Sequence, residues 1–421
     1  MSRKRQSTRP TQATRRSRRG LAGALLAAAL LPGVLAPGAA SAATAEATTG
    51  TTTAGSAARS GSVLTLQGRG YGHGKGLSQW GAEGAARQGV GWKRIVRFYY
   101  PHTRIGKVGG SIRVLVTADT DRDTRVVATS GLVVKSLGSG AVVDVAAKHP
   151  RAVQWRLRPA SKKRTLVQYK LAGKRWTSLR TVPGEAQFQA DGPLTLVTPS
   201  GRTSYRGALR SSAAVTGGRD RHTVNVLPLE QYLRGVVPLE AYPSWHAAAL
   251  RSQAVAARTY AAFERAEYRS RYYQICDTTS CQVYGGADAE YGTTDAAIRA
   301  TRKAAMTRSG KPIFAQFSAS DGGWTQGSSL AYQIDQRDPW DRWSGNPYRS
   351  WTVSFTAAQL RAAFPGVGAF RRVKVLARDG NGAWGGRVTS IRVVGAQGSV
   401  TVTGDAFRSA LGMYSTWFRK A

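Results

Sequence analysis

Apolar and polar residues alternate with a period of two over much of residues 111–230. Runs such as Ile112–Val116 and Leu194–Val197, broken by glycine and proline, predict strands there. Within this region, residues 147–192 are basic, aromatic and punctuated by glycine and proline, the pattern of an insertion or a hairpin-rich subdomain. The period changes after Pro243-Ser244. From Trp245 to Tyr268 there is no glycine or proline, and Ala247, Leu250, Ala254, Ala257 and Ala261 recur at spacings of three and four. That predicts one long helix with a face of small side chains, suited to close packing on a sheet. Shorter helices are predicted over Gln79–Gln88, Asp295–Ser309 and Gly404–Leu411, and late strands over Arg372–Leu376, Val388–Val394 and Ser399–Thr403. Strands outnumber helices, so the expected class is α+β.

The first 42 residues follow another logic. Eight arginines and lysines without an acid precede the apolar run 21–36, and Ala40-Ser41-Ala42 offers a small-residue cleavage site, the order of a secretory signal peptide. Pro32 and Gly33 interrupt the run, which is short for a membrane span. Arg18-Arg19 permits twin-arginine export as well as the general route. Residues 43–61, rich in alanine, threonine, glycine and serine, read as a linker. Residues 62–421 then form the folded region: a glycine-rich start (62–110), a strand-rich lobe (111–222), a central core (223–345) and C-terminal strands with a helix (346–421).

Charge narrows the partners. The 421 residues carry 61 Lys and Arg against 23 Asp and Glu, a net charge of +38. Without the leader about +30 remains, scattered along the chain rather than gathered in arms. In an exported protein that favours the anionic bacterial wall over nucleic acid. Cys276 and Cys281, five positions apart, are read as a disulfide. A zinc site wants about four ligands, and none of His73, His102, His149, His222 and His246 lies near the pair in sequence.

Two segments carry candidate chemistry. Glu240 sits between Pro238 and Pro243, just ahead of the long helix, where two prolines restrict the backbone. Shielding by Tyr242 and Trp245 would raise its pKa, and the helix N-terminus would lower it. A structural role at the helix start is the competing reading. In the second segment Gly68, Gly70, Gly72, Gly74 and Gly76 alternate with Arg69, Tyr71, His73 and Lys75. On a strand this puts all glycines on one face, open to another backbone or a sugar ring, with His73 the side chain that titrates near neutrality. Nothing reads G-x-S-x-G, so a serine-hydrolase elbow is excluded, and Asp321-Gly322-Gly323 reads as a tight turn lining the site.

Longer stretches resemble a known family. VVPLEAYPSWHAAALRSQAVAARTYA (Val236–Ala261) is similar to the signature of the SpoIID/LytB family, sporulation stage II protein D and its relatives. GYGHGKGLSQWGA from Gly70, DTTSCQVYGG (Asp277–Gly286), SASDGGWT (Ser318–Thr325) with DPWD (Asp338–Asp341), and FRSALGMYSTWF (Phe407–Phe418) resemble further elements of that family. The resemblance implies a lytic transglycosylase whose catalytic acid and base is Glu240, with Gln253, Arg258 and Tyr260 carried on the helix. It extends the candidate substrate-binding set to His73, Ser78, Gln79, Tyr284, Ser320, Asp321, Gly322 and Gly323. The order departs from the sporulation protein, where the GHG-x-G-x-SQ element follows the FR-x-x-LGL stretch. Asp321 stands where the family usually has serine. The His-x-Cys pattern of zinc-binding relatives is missing, since Ser280 precedes Cys281, so no metal or other cofactor is expected.

The implied reaction cuts the β-1,4 bond between N-acetylmuramic acid and N-acetylglucosamine to leave a 1,6-anhydro end. A glycosidase of the ordinary kind needs two carboxylates, and Glu230 and Asp277 are the nearby acids, both read as structural. The implied partners are peptidoglycan strands and anionic wall polymers. A second reading makes the chain a non-catalytic wall-binding enhancer of a separate amidase.

Overall fold

Alternation of side chains builds the two largest sheets. The computed structural model describes residues 62–214 and 218–421, so the expected leader and linker lie outside the described residues. A seven-stranded sheet runs in the order Ile275–Cys276, Ser111–Leu115, Arg221–Pro228, Ala208–Ala213, Ala186–Gln189, Val133–Ser136, Val142–Asp144. A six-stranded sheet runs Trp176–Pro183, Arg164–Leu171, Ala152–Ser161, Thr124–Val127, Leu194–Thr198, Gly201–Tyr205. The hairpins expected between 147 and 192 are therefore members of both sheets. Their Trp155, Leu157, Val167, Val182 and Phe188 share one core cluster with Ile112, Val114 and the long helix. Only Ile275–Cys276 joins the seven-stranded sheet in parallel, and it does so beside Val114 and Leu115. The class is α+β.

The long helix is Ala247–Glu267, capped by His246, whose Nδ1 accepts from Ala248 N at 3.3 Å. Its alanines let two bodies approach it at once. Ala254, Ala257, Ala261 and Ala262 pack into the sheet cluster. Ala249, Val255 and Ala256 pack into a second cluster with Leu77, Ala82, Ile95 and Tyr100 from the helices Gln79–Arg87 and Trp92–Tyr99 and their flanks. The helix is thus buried on two sides rather than on the one face that spacing predicted. Among the described residues no helix is long and apolar enough to cross a membrane.

The helix expected over Asp295–Ser309 is split. It ends at Ala300, and Ala304–Arg308 is a strand paired with Arg104–Lys107 and Lys311–Pro312. Ser309 and Gly310 take positive φ of 49° and 75°, a hairpin turn that the Ser-Gly pair signals in the sequence. The burial of Ala305, Met306 and Thr307 in succession hides the strand period.

The first and last strands of the described residues close on each other. Strand Ser62–Gly68 lies between Trp351–Thr356 and Phe418–Lys420, with Leu66 opposite Lys420. Beyond Gly68 the expected strand of alternating faces does not continue. Gly70, Gly72, Gly74 and Gly76 all have φ between 65° and 103°, a left-handed conformation that side chains resist. The alternation has another cause: it brings the segment against residues 316–322. A Cβ on Gly70 would stand 2.9 Å from Ser320 O, one on Gly72 2.6 Å from Ser318 Cβ, and one on Gly76 2.0 Å from Gln316 O. Arg69 N and Gly72 N donate to Trp417 O and Tyr414 O, each at 2.9 Å. The glycine element and the FR-x-x-LG stretch are therefore neighbours, and their exchanged order in the chain leaves the arrangement intact.

Gly76→Ala combines positive φ with a backbone clash, whereas Gly89→Ala has positive φ and open space around it. Gly89→Ala should cost ~1–2 kcal/mol, and Gly76→Ala clearly more. Thermal unfolding of the two variants beside the wild type checks this; equal losses would show that residues 316–322 move aside.

Candidate active site

Glu240 closes a one-turn helix, Val237–Glu240, rather than opening the long one. Val236 and Val237 are fully buried and anchor the turn, Pro238 sits in it, and Glu240 N donates to Val236 O at 3.1 Å. The turn follows the short helix Leu229–Arg234, whose Leu229, Tyr232 and Leu233 enter the core. Gly235 joins the two helices where nothing larger fits, since a Cβ would lie 2.5 Å from Gly286 O.

Two groups hold the Glu240 carboxyl. Val283 N donates to Oε1 at 3.0 Å, and Gln79 makes a side-chain hydrogen bond to it. Gln79 is placed by its helix, because Glu83 of that helix accepts from His246 N at 2.9 Å at the head of the long helix. Val283 is placed by the disulfide Cys276–Cys281, which closes a six-residue loop with Cα atoms 5.5 Å apart. Beyond that loop, Tyr284 N donates to Asp277 O at 3.2 Å. Burial outweighs both hydrogen bonds and raises the Glu240 pKa from 4.5 to about 7.

The carboxyl borders a cavity of about 520 Å³. Gln79, Tyr260 and His73 line it, as expected; Tyr71, Lys75, Phe317, Ser318, Asp405 and Arg408 also line it and were not singled out by sequence. The flanking positions of His73 and the FR pair at Phe407-Arg408 are the signals that would have found Lys75 and Arg408. His73 does not titrate near neutrality: burial, then Lys75, Arg408 and Arg387, lower its pKa to about 3. Its Nδ1 accepts from Lys75 N at 2.9 Å, so the neutral ring carries its proton on Nε2. Tyr242 and Trp245 are not in the lining. They stack with Trp80 at 5.9 and 4.9 Å, beside the cavity rather than around it.

The other candidate residues lie inside the fold, with partners of their own. Arg258, fully buried, forms a bidentate pair with Glu230 at 2.8 and 2.9 Å and reaches Ala304 O and Ile298 O. Tyr284 donates to Asn225 Oδ1 at 2.7 Å. Gln253 is 2 % exposed and its side-chain amide has no hydrogen-bond partner. Ser78 caps the helix Gln79–Arg87 and donates to Asp341 Oδ1 at 2.5 Å. Ser320 donates to Asp341 Oδ2 at 2.8 Å, and Gly322 N donates to the same oxygen at 2.9 Å. Gly323 N donates to Asp321 Oδ1 at 2.8 Å. Asp321-Gly322-Gly323 is a tight turn, but it supports the cavity wall from behind instead of lining it. Glu230 and Asp277 are likewise occupied, Asp277 by the N–H and hydroxyl of Thr117 at 3.1 and 2.6 Å.

Asp321, Asp338 and Asp341 form the one group among the described residues whose ligand atoms are close enough to share a metal, within 4.8 Å of one another. Most of their oxygens are already taken, Asp321 Oδ2 being without a hydrogen-bond partner. Asp341 accepts from Ser78, Ser320, Asn346 and two backbone N–H groups. Asp338 accepts from Tyr99 at 2.6 Å. Burial and the two neighbouring acids raise the Asp321 pKa well above the carboxylate range, so it keeps its proton and shares it with Asp338.

Parts of the chain are similar to known proteins. The family model "Stage II sporulation protein" (SpoIID) matches residues 218–307, from the strand before Glu240 to the strand after the second helix. Over these residues the chain is similar to the SpoIID family. Stage II sporulation protein D of Bacillus amyloliquefaciens is 27 % identical over 232 residues, 46 % of this chain and 67 % of that protein. The amidase enhancer of Bacillus subtilis is 35 % identical over 134 residues, 30 % of this chain and 17 % of the relative. An uncharacterized protein of Brachyspira hyodysenteriae is 36 % identical over 112 residues, 26 % of this chain and 30 % of its own length. The chain thus spans less than a third of the length of the latter two.

The raised pKa of Glu240 has a sign that stability can read. Its neutral form favours the fold below pH 4.5, and that contribution is lost as pH rises through about 7. Glu240→Gln carries no such dependence. The variant should melt above the wild type at pH 8 and together with it near pH 4. A gap of the same size at both pH values would mean that the carboxyl is not desolvated.

Proposed function

We propose that the chain is an exported lytic transglycosylase that cuts peptidoglycan glycan strands, with Glu240 acting as both acid and base. The observation that carries the reading is the one half-buried carboxyl of the cavity lining, poised near pH 7 and held by Val283 N–H and Gln79. A group half protonated at neutral pH can give a proton and take one back. Protonated Glu240 donates to the glycosidic oxygen as the bond from that oxygen to the anomeric carbon breaks. The acetamido oxygen of the substrate covers the anomeric carbon, the C6 hydroxyl of the same sugar attacks it, and the Glu240 carboxylate receives the hydroxyl proton. One sugar gains a 1,6-anhydro ring and no water enters. The other acid of the lining, Asp405, is exposed on the last helix and belongs to the rim.

The named similarity to an amidase enhancer supports a second reading, in which the same cavity holds glycan without cutting it and a separate amidase is the partner.

Glu240→Gln keeps size and hydrogen bonding but cannot cycle a proton, so release of glycan fragments should fall at least ~10²-fold. Mass spectrometry of wild-type products should find 1,6-anhydromuramic ends, with the rate declining as pH rises past about 7, where the acid form is lost. Reducing ends, together with loss of activity in Asp405→Asn, would make the enzyme a two-carboxylate hydrolase. Equal inactivity of wild type and Glu240→Gln, with both stimulating an amidase, would establish the enhancer.

A further inference from the structure

A second and larger cavity, about 1270 Å³, shares no lining residue with the first. Three adjacent strands of the seven-stranded sheet contribute to it: Arg113 from Ser111–Leu115, Arg221 from Arg221–Pro228 and Arg210 from Ala208–Ala213. Lys162 and Lys163, in the turn between Ala152–Ser161 and Arg164–Leu171, stand exposed at its edge, and Arg271 enters from the loop after the long helix. Six cations face one acid, Glu185.

That acid does not balance them. Glu185 already accepts from Ala213 N at 2.8 Å and from the Ser212 hydroxyl at 3.1 Å, and it lies 3.9 Å from Arg221. Arg221 is 3 % exposed and its Nε has no hydrogen-bond partner. Arg210 donates only to the neutral Gln187, at 3.2 Å, and Arg113 to the carbonyls of Arg269 and Arg271, at 2.8 and 2.7 Å. Burial opposes the charge of all three arginines. A guanidinium taken out of water costs free energy unless an anion meets it.

We infer that this cavity binds phosphate, and that its occupant is a phosphodiester unit of an anionic wall polymer. The guanidinium fork matches phosphate oxygens in pairs. A tetrahedral anion offers oxygens in three directions to arginines arriving from three strands, which a planar carboxylate does not. The volume exceeds the range of about 300–1,000 Å³ usual for small-molecule pockets, and the exposed lysines extend the positive lining past the buried Arg221 and the half-buried Arg113 and Arg210. A repeating polyanion uses both features. The choice of polymer over free phosphate rests on the wall-directed reading above; the anion site itself does not.

The test is calorimetric titration of the mature chain with inorganic phosphate and with short poly(glycerol phosphate), so it needs no glycan cleavage. Arg210→Gln and the pair Lys162→Gln/Lys163→Gln are compared with Arg371→Gln/Arg372→Gln. That control pair lies on the strand Phe370–Arg378, outside the cavity, and removes as much charge as the lysine pair. Melting curves confirm that each variant folds. The polymer should bind the wild type more tightly than phosphate does, phosphate should compete, and Arg210→Gln and the lysine pair should each weaken binding at least roughly tenfold, with the control pair close to wild type. Equal weakening by the control pair would assign the binding to the general field of the protein and overturn the site. Phosphate binding that depends on Arg210, with no gain for the polymer, would keep the anion site and overturn the polymer as its occupant. Loss of glycan cleavage without change in these titrations would concern Glu240 alone.

Discussion

Arg258 holds together the parts on which Glu240 depends. Its guanidinium has no water to turn to, and every donor direction is met by protein: Glu230 from the short helix before the catalytic turn, Ala254 O from its own helix, Ile298 O and the Thr301 hydroxyl from the helix Gly292–Ala300, and Ala304 O from the strand that follows. Taking away Glu230 would leave the Arg258 charge buried and unmatched, which costs far more than the pair itself contributes. The geometry at Glu240 follows from it. Glu230 lies ten residues ahead of Glu240, and between them Gly235 admits Tyr284 and Gly286 closely enough for Val283 N–H to meet the carboxyl.

The site places fixed donors around an acid that would otherwise ionise. Val283 N–H and Gln79 both stabilise the charged form, and desolvation opposes them and prevails. The balance puts the carboxyl near neutrality, where neither protonation state is out of reach. His73 shows the same forces with another outcome. Burial and three cations act together on it, nothing opposes them, and it stays neutral with a fixed tautomer.

What the sequence made legible is what one element determines by itself. The long helix, the late strands and the position of Glu240 follow from local period and from a motif, and the Cys276–Cys281 pair follows from spacing. Readings failed where the decisive partner lies far along the chain. Ala304–Arg308 looks helical until Arg104–Lys107 pairs with it. The alternate glycines look like a strand face until residues 316–322 arrive and require left-handed turns instead. Ser78, Ser320 and Asp321 carry a family motif and were taken for substrate contacts, yet they serve a buried carboxyl network that includes Asp338 and Asp341. A motif shows that residues are constrained; whether ligand or fold constrains them is a matter of three dimensions.

The pairing of Leu66 with Lys420, and of Arg69 and Gly72 with Trp417 and Tyr414, bears on how the chain reaches its native state. Contacts that span some 350 residues carry a large loop-closure entropy and form late. The long helix and its sheets can assemble earlier from partners nearer in sequence, but the wall of the cavity that carries His73 and Lys75 has no place to rest until residues 414–420 are present. A nascent chain, or one threading outward through a membrane, would therefore hold Glu240 in a half-built and solvent-filled setting, where its carboxyl ionises like any other. The environment that desolvates Glu240 would then be complete only once residues 414–420 have docked against the glycine element.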